Sequence, residues 1–137
     1  IPTLTNCILW GDSPQEIYVN SGPPPIVTYC DVQGGYTGTG NIHANPLVLD
    51  PDGPDNDPST WADNDFRLAW NSPGIDAGTN SPPGGLPAQD ADGNPRSLDG
   101  NGDGQAVADM GAFEFNPTVP AIATSPNRPK RQQLQPK

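Results

Sequence analysis

Two short segments near the start of the chain resemble each other, and this repeat constrains the fold more than any other feature of the sequence. Residues 3–11 (TLTNCILWG) and 26–34 (IVTYCDVQG) align at an offset of 23, which places Cys7 over Cys30. Each segment is short, rich in residues that favour β structure and bounded by turn residues, so each is predicted to be a strand. Self-similarity at a period of about 20 to 30 residues predicts a solenoid, in which each turn buries its apolar face on the next.

The composition indicates an all-β chain with long loops. The 137 residues include 19 Pro and 16 Gly, and these residues interrupt the sequence too often for long helices to form. Residues 1–115 are predicted to form one β domain. Residues 116–137 are Pro-rich and lack apolar periodicity, so they are predicted to form an extended tail.

The formal charge differs in sign between the body and the tail. All 16 acidic residues lie between Asp12 and Glu114, where two arginines oppose them, and the formal charge of this part is −14. The tail carries four basic residues, which are Arg128, Lys130, Arg131 and Lys137. An acidic body repels nucleic acid and anionic lipid, so neither is expected as a partner, whereas divalent cations and basic segments are. No apolar run approaches the ~20 residues that a membrane span needs, so no membrane insertion is expected.

A series of six motifs extends this prediction. In chain order they are residues 6–10 (NCILW), 29–35 (YCDVQGG), 41–48 (NIHANPLV), 72–78 (SPGIDAG), 89–96 (QDADGNPR) and 109–115 (DMGAFEF). In this order they resemble the C-terminal end of secreted right-handed parallel β-helix proteins, the pectate-lyase-like solenoids of bacterial surface proteins. The resemblance covers about residues 3–115. It implies a short right-handed parallel β-helix, here of about three to four coils, and an extracellular or cell-surface location.

Cys7 and Cys30 are the candidate pair for a disulfide bond. Adjacent strands lie about 4.8 Å apart, which falls within the Cα separation that a disulfide allows. Directly stacked side chains also keep their Cβ atoms near that spacing, which is slightly long for a relaxed bond. The sequence therefore leaves two alternatives, a disulfide or a ladder of buried free thiols.

A glycine-rich acidic stretch is the candidate calcium site. Residues 99–104 (DGNGDG) match the first half of a calcium-binding loop, but Met110 stands where the twelfth-position acid should be and no helix flanks the loop. A looser calcium loop remains as one interpretation, and a turn capped by Asx side chains is the other. The candidate ligands are Asp99, Asn101 and Asp103, with Asp90 and Asp92 as further donors.

The sequence supports no catalytic arrangement. His43 is the sole histidine, so no Ser-His-Asp or Cys-His combination can be assembled with any support. With 16 acids some carboxylate pair will always suit glycoside hydrolysis, so that signal carries no information. The three tryptophans, Trp10, Trp61 and Trp70, could stack on sugars, but packing within the fold is the interpretation that tryptophan favours more often.

These observations together predict a non-catalytic extracellular structural protein. It would be a β-solenoid subunit that assembles end to end with copies of itself into a filament or surface matrix, because the first strand has no polar cap and leaves an open edge. The basic tail would cross the joint between subunits, with calcium bridging carboxylates. The alternative is a C-terminal fragment of a polysaccharide-binding or polysaccharide-cleaving, lyase-like β-helix protein, whose partner would be a polysaccharide.

Overall fold

The computed structural model describes residues 1–57 and 59–118, and most of its regular structure consists of short strands. No α-helix occurs within those residues, in agreement with the composition. The strands are β1 (Thr3–Thr5), β2 (Ile8–Leu9), β3 (Ile26–Thr28), β4 (Asp31–Val32), β5 (Val48–Asp50) and β6 (Asp65–Leu68), and a 3-10 turn lies at Trp61–Asp63.

The repeated segments pair with each other as the sequence predicts. β1 pairs with β3 and β2 pairs with β4, and both pairs are parallel. Thr5 lies opposite Thr28 and Leu9 lies opposite Val32, so the offset of 23 is confirmed. The two threonine hydroxyl oxygens are 3.2 Å apart and form a hydrogen bond across the pair.

A residue in the left-handed region divides each repeated segment into two strands. Asn6 separates β1 from β2 with φ at 56°, and Tyr29 separates β3 from β4 with φ at 52°. These two residues occupy equivalent positions in the repeat. The left-handed conformation turns the chain through a corner at both places, so the two segments stay parallel beyond it.

A small apolar core lies between these strands. Val27, Cys30 and Val32 are buried and pack together. The partly buried side chains that surround them are Leu4, Cys7, Leu9, Ile17 and Tyr36. Because this core is small, hydrogen bonds from side chains to the backbone must hold much of the remaining chain in place.

A second glycine-rich loop, residues 34–40 (GGYTGTG), covers the outer edge of β3 together with Asn41. The Asn41 amide nitrogen donates to the carbonyl oxygens of Val27 and Tyr36, at 3.0 Å in each case. A Cβ atom at Gly38 would lie 1.8 Å from the Val27 carbonyl oxygen. A residue with a side chain could therefore not bring the loop this close to β3. The β3 edge is therefore closed.

The repeat does not continue beyond this loop. Ile42 makes an isolated parallel bridge with Asp31, at an offset of 11 instead of 23. Leu47 then adopts a left-handed conformation with φ at 51°, and β5 pairs antiparallel with β6. The prediction of a short right-handed parallel β-helix is therefore wrong, because the third segment stacks on the second only at the Ile42 bridge and then enters an antiparallel pair.

The second half of the described chain is held mainly by turns. Beyond β6, the strand-like pairing of the described residues consists of two isolated antiparallel bridges, Gln89 with Pro95 and Leu98 with Val107. Proline and glycine are frequent in this part; proline cannot donate to a ladder of backbone hydrogen bonds, and glycine weakens a strand. The predicted assembly tail, with Arg128, Lys130, Arg131 and Lys137, lies outside the described residues.

Candidate functional site

An open cleft of about 500 Å³ runs beside β1. One wall consists of five consecutive residues, 3–7. Successive side chains of a strand point to opposite faces, so a cleft that meets every residue runs along the edge of the strand. The opposite wall is formed by residues 82–91, and Arg96, Gly111 and Ala112 contribute to the lining.

The edge of β1 that faces away from β3 has backbone groups that pair with no other strand of the described residues, although the Thr5 carbonyl accepts a hydrogen bond from Cys7 Sγ at 3.3 Å. The Pro2 carbonyl accepts a hydrogen bond of 2.9 Å from the Ile26 N–H, which directs Pro2 towards β3. Since alternate residues of a strand bond to opposite neighbours, Thr3 and Thr5 direct their N–H and C=O groups away from β3. Within residues 1–57 and 59–118, β1 pairs with no second strand.

The opposite wall of the cleft offers few hydrogen-bonding partners for the backbone groups of β1. Pro82, Pro83 and Pro87 have no N–H to donate, so this part of the wall cannot satisfy the β1 carbonyls. Asp90 fixes the end of the wall, because its carboxylate accepts hydrogen bonds from the N–H groups of Asn94 at 2.7 Å and Glu114 at 2.8 Å. The cleft therefore has one wall of unpaired strand and one wall of proline-rich loop.

A buried charged network supports the floor of the cleft. Arg96 forms an ion pair with Glu114, with Nη1 and Oε1 at 2.9 Å, and its Nη2 donates to the Asp109 carbonyl at 3.2 Å. The Asp109 N–H donates to Glu114 Oε1 at 3.0 Å. Burial raises the pKa of Glu114 to about 8 and that of Asp109 to about 6. Arg96 therefore pairs with the carboxylate of Glu114 and with the backbone carbonyl of Asp109, while the buried Asp109 carboxyl has no ion pair with it.

This network also anchors neighbouring loops. The Asp109 carboxylate accepts hydrogen bonds from the N–H groups of Asp76, at 2.8 Å, and Phe115. The Gly111 N–H donates to the Asn6 carbonyl at 2.9 Å, which ties this network to the end of β1. Sequence reasoning missed these roles, and the signal that could have found them is Arg96, one of two arginines in an acidic body.

The structure brings Cys7 and Cys30 together as free thiols. The Cys7 N–H donates to Cys30 Sγ at 3.4 Å, and each sulfur lies within 3.3 Å of the carbonyl oxygen two residues earlier. The hydrogen bond between the two thiols lowers the pKa of Cys7 to about 6 and raises the pKa of Cys30. Adjacency suits both the disulfide and the ladder of free thiols, so the disulfide stays a prediction.

The predicted calcium loop is closed on itself by hydrogen bonds. Asp99 Oδ1 accepts from the N–H groups of Gly102 at 2.7 Å and Asp103 at 3.1 Å, and its Oδ2 accepts from Gly104 at 2.9 Å. Asn101 Oδ1 accepts from the Asp103 N–H at 2.9 Å. These contacts are those of a turn capped by Asx side chains.

The two further predicted ligands belong to another turn. Asp90 accepts hydrogen bonds from residues 92, 94 and 114, and Asp92 lies 3.7 Å from Arg67 in an ion pair. In the part of the chain that the structure describes, no three His, Cys, Asp or Glu side chains are placed to hold a metal ion. Calcium binding stays a prediction.

Two of the three tryptophan side chains do not pack within the fold. Trp61 and Trp70 are largely exposed, so the expectation that they pack within the fold is wrong for both. Trp10 is half-buried, and its ring centroid lies 5.9 Å from that of His43. Both exposed tryptophans adjoin β6, where they present aromatic surface to solvent.

Comparison with protein-family models, with curated proteins and with solved structures found no match. The resemblance to secreted β-helix proteins therefore stays a prediction. Among the described residues, no helix has the length and apolar character that crossing a membrane requires. The arrangement at β1 can bind an extended backbone, because it combines an unpaired strand edge with an adjoining cleft.

Proposed function

We propose that this chain is a non-catalytic structural protein that associates with copies of itself by strand addition at β1. One observation carries the proposal. Thr3 and Thr5 direct their backbone groups away from β3, along a cleft of about 500 Å³. An unpaired edge of this kind is a template for another extended segment, which gains main-chain hydrogen bonds when it is added.

A second copy is the partner that this edge favours. Every copy carries the same unpaired β1, so two copies can pair β1 with β1 through one self-complementary contact. Ile1 and Ile26 lie at this end of the strands and are exposed, so the contact would also bury apolar surface. Main-chain pairing needs no specific partner sequence, which suits association between identical chains.

The closed edge of β3 limits what this contact alone can build. A filament needs a different surface at each end of the subunit, whereas pairing β1 with β1 closes a dimer. The loop at Gly38 and Asn41 covers the β3 edge, so growth from that edge would require the loop to move. Assembly into a filament or surface matrix, outside the cell or on its surface, therefore needs a second contact and stays a prediction.

The test removes the outward-facing N–H group of Thr3 in β1. Thr3→Pro removes this donor and leaves the hydrogen bond between Pro2 and Ile26 in place, so the β1–β3 pair is retained. Thr3→Val keeps the donor and is the matched control. We expect sedimentation velocity to detect concentration-dependent association of the wild type and Thr3→Val, and a monomer for Thr3→Pro.

Amide hydrogen exchange gives an independent measurement on the same proteins. In the wild type, exchange at Thr3 and Thr5 should slow as the protein concentration rises, because those amides become paired. Exchange at Leu4 should not change, since its N–H already faces β3. A wild type that stays monomeric at every concentration, or a Thr3→Pro variant that associates normally, would contradict the proposal.

A further inference from the structure

Four of the eight exposed large apolar side chains in the described residues belong to the β5–β6 hairpin and its flanks. Trp70 is 79% exposed, Trp61 is 76% exposed, Phe66 is 47% exposed and Leu49 is 37% exposed. Trp61 precedes β6 in the 3-10 turn, Phe66 lies within β6, and Trp70 follows its end. We call Trp61, Phe66 and Trp70 the aromatic face. Exposed apolar residues that are scattered singly are ordinary, but three exposed aromatic side chains on one short segment can form an interaction surface where they lie together.

The aromatic face has an acidic surrounding. Four exposed carboxylates lie on the loop that joins β5 to β6, and they are Asp52, Asp55, Asp57 and Asp63. The nearby cation, Arg67, does not offset them, because its Nε lies 2.9 Å from Asp65 and its Nη1 lies 3.7 Å from Asp92. A partner of this surface should therefore combine apolar groups that pack on aromatic rings with positive charge.

Residues 126–131 of the chain have this chemistry. Their sequence is PNRPKR, which is a Pro-x-x-Pro motif with three basic side chains, Arg128, Lys130 and Arg131. Pro-x-x-Pro segments dock on aromatic grooves in the polyproline II conformation, which costs them little conformational entropy. Arginine also stacks on the faces of aromatic rings.

The dimensions of the two segments agree. Six residues in polyproline II span about 19 Å at 3.1 Å per residue. Residues 65–70, from the start of β6 to Trp70, span about 20 Å at 3.3 Å per residue when extended. The segment is therefore long enough to follow β6 from the side of Trp61 to Trp70.

The same chain can supply the segment. The described chain ends at Thr118, and the eight residues from there to Pro126 reach about 26 Å when extended. A folded body of this size has a radius of gyration of about 13 Å, so this reach is comparable to the diameter of the body. Attachment through a short linker gives an effective concentration in the millimolar range, which exceeds that of a second copy in dilute solution.

We propose that residues 126–131 dock on the aromatic face of the same chain. The prolines pack on Trp61, Phe66 and Trp70, and the basic side chains face the carboxylates of the acidic loop. This inference goes beyond the self-association at β1 and uses a different surface. Thr3→Pro, which removes that association, should leave the docking unchanged, so the two proposals can fail separately.

The test uses the full chain and two matched pairs of proline substitutions. Pro126→Ala with Pro129→Ala changes the motif, and Pro120→Ala with Pro136→Ala makes the same chemical change outside it. The measurement is acrylamide quenching of tryptophan fluorescence. We expect the first variant to show stronger quenching and emission at longer wavelength than the wild type, because Trp61 and Trp70 lose their cover. The second variant should resemble the wild type.

Two further measurements distinguish residues 126–131 of the same chain from other ligands of the aromatic face. In the Trp61→Ala, Trp70→Ala variant, the proline substitutions should no longer alter quenching, since the remaining tryptophan, Trp10, is not part of the aromatic face and lies against His43. Dilution of the wild type should not change its quenching, because the contact is within one chain. Equal quenching in both proline variants would overturn the proposal. Quenching that rises on dilution would also overturn it, because that result indicates the tail of a second copy. Binding of a neutral polysaccharide that is unaffected by Pro126→Ala with Pro129→Ala would overturn it as well.

Discussion

Asn6 joins the first strand segment to the second half of the chain. Its side chain makes two hydrogen bonds to the backbone of Thr79. Nδ2 donates to the Thr79 carbonyl at 2.9 Å, and Oδ1 accepts from the Thr79 N–H at 2.8 Å. Its carbonyl accepts a hydrogen bond from Gly111, and its backbone is left-handed. Asparagine suits this position because its short amide bonds locally and it tolerates positive φ.

Two substitutions at Asn6 separate the side-chain contribution from the backbone contribution. Asn6→Gly keeps the left-handed conformation and removes two hydrogen bonds, which we expect to lower the free energy of unfolding by about 2 kcal/mol. Asn6→Ala also places a Cβ in that conformation, and this should cost about 1 kcal/mol more. Urea denaturation measures both, and equal stability of the two variants would contradict a left-handed Asn6.

At the scale of elements, the β1–β3 pair has one open edge and one closed edge. The closed edge depends on Gly38, which lies against the Val27 carbonyl, and on the Asn41 amide, which bonds to the same carbonyl. The open edge faces the cleft. This difference makes strand addition one-sided, so the loop at Gly38 acts as a cap on the fold.

A glycine comparison tests this cap. A Cβ at Gly38 would lie 1.8 Å from the Val27 carbonyl oxygen and 2.6 Å from the Asn41 amide nitrogen, whereas the nearest atom to a Cβ at Gly74 is 3.4 Å away, on Leu68. We expect Gly38→Ala to lower the free energy of unfolding by about 1–3 kcal/mol, as overpacking does. Gly74→Ala should have a smaller effect. Thermal unfolding of both variants measures the difference, and the reverse order would argue against a tightly packed cap.

The sequence predicts the register of the first four strands because their pattern repeats at a fixed offset. Nothing comparable marks the hairpin, since Val48 and Leu68 become partners through a turn at Leu47 and a β-bulge within the pair. Apolar segments of this length fit a stacked strand and a hairpin strand equally well. The sequence therefore predicts a solenoid for the third segment, whereas the chain forms an antiparallel pair there.

The candidate site was predictable on one side only. An uncapped first strand indicates an open edge, and Thr3 lies on it. The opposite wall depends on contacts between distant residues, such as the hydrogen bond from the Glu114 N–H to Asp90 and the ion pair between Arg96 and Glu114. Local patterns do not encode such contacts, because they form only when the turns between them are folded.

At the scale of the whole molecule, a buried charged network makes stability sensitive to pH. Arg96, Asp109 and Glu114 are all buried, and their hydrogen bonds connect the cleft floor with the turns around it. One arginine cannot fully compensate two buried carboxylates, since each ionised group loses hydration on folding. The protonation of this network should therefore govern how stability varies with pH.

The pH dependence follows from the sign of the pKa shifts. Burial raises the pKa of Glu114 from 4.5 to about 8 and that of Asp109 from 3.8 to about 6. Between the ordinary and the raised pKa the folded state binds more protons than the unfolded state. Each carboxyl therefore lowers stability as pH rises, by up to about 1.4 kcal/mol per pH unit. All proteins in the pH comparison carry Cys7→Ser, because the lowered pKa of Cys7 would act in the opposite direction above about pH 6.

We expect the urea midpoint of the protein with both carboxyls intact to be higher at pH 5.5 than at pH 8. Glu114→Gln keeps an acceptor for Arg96 and for the Asp109 N–H but cannot ionise, so its midpoint should vary much less over this range. The exposed Asp57 has its pKa lowered by hydrogen bonds from Ser59 and should contribute below this window. Asp57→Asn is therefore the control that retains the same dependence as the protein with both carboxyls intact. If the stability of that protein instead rose from pH 5.5 to pH 8, the Arg96–Glu114 ion pair would outweigh burial, and Glu114 would be ionised in the folded protein.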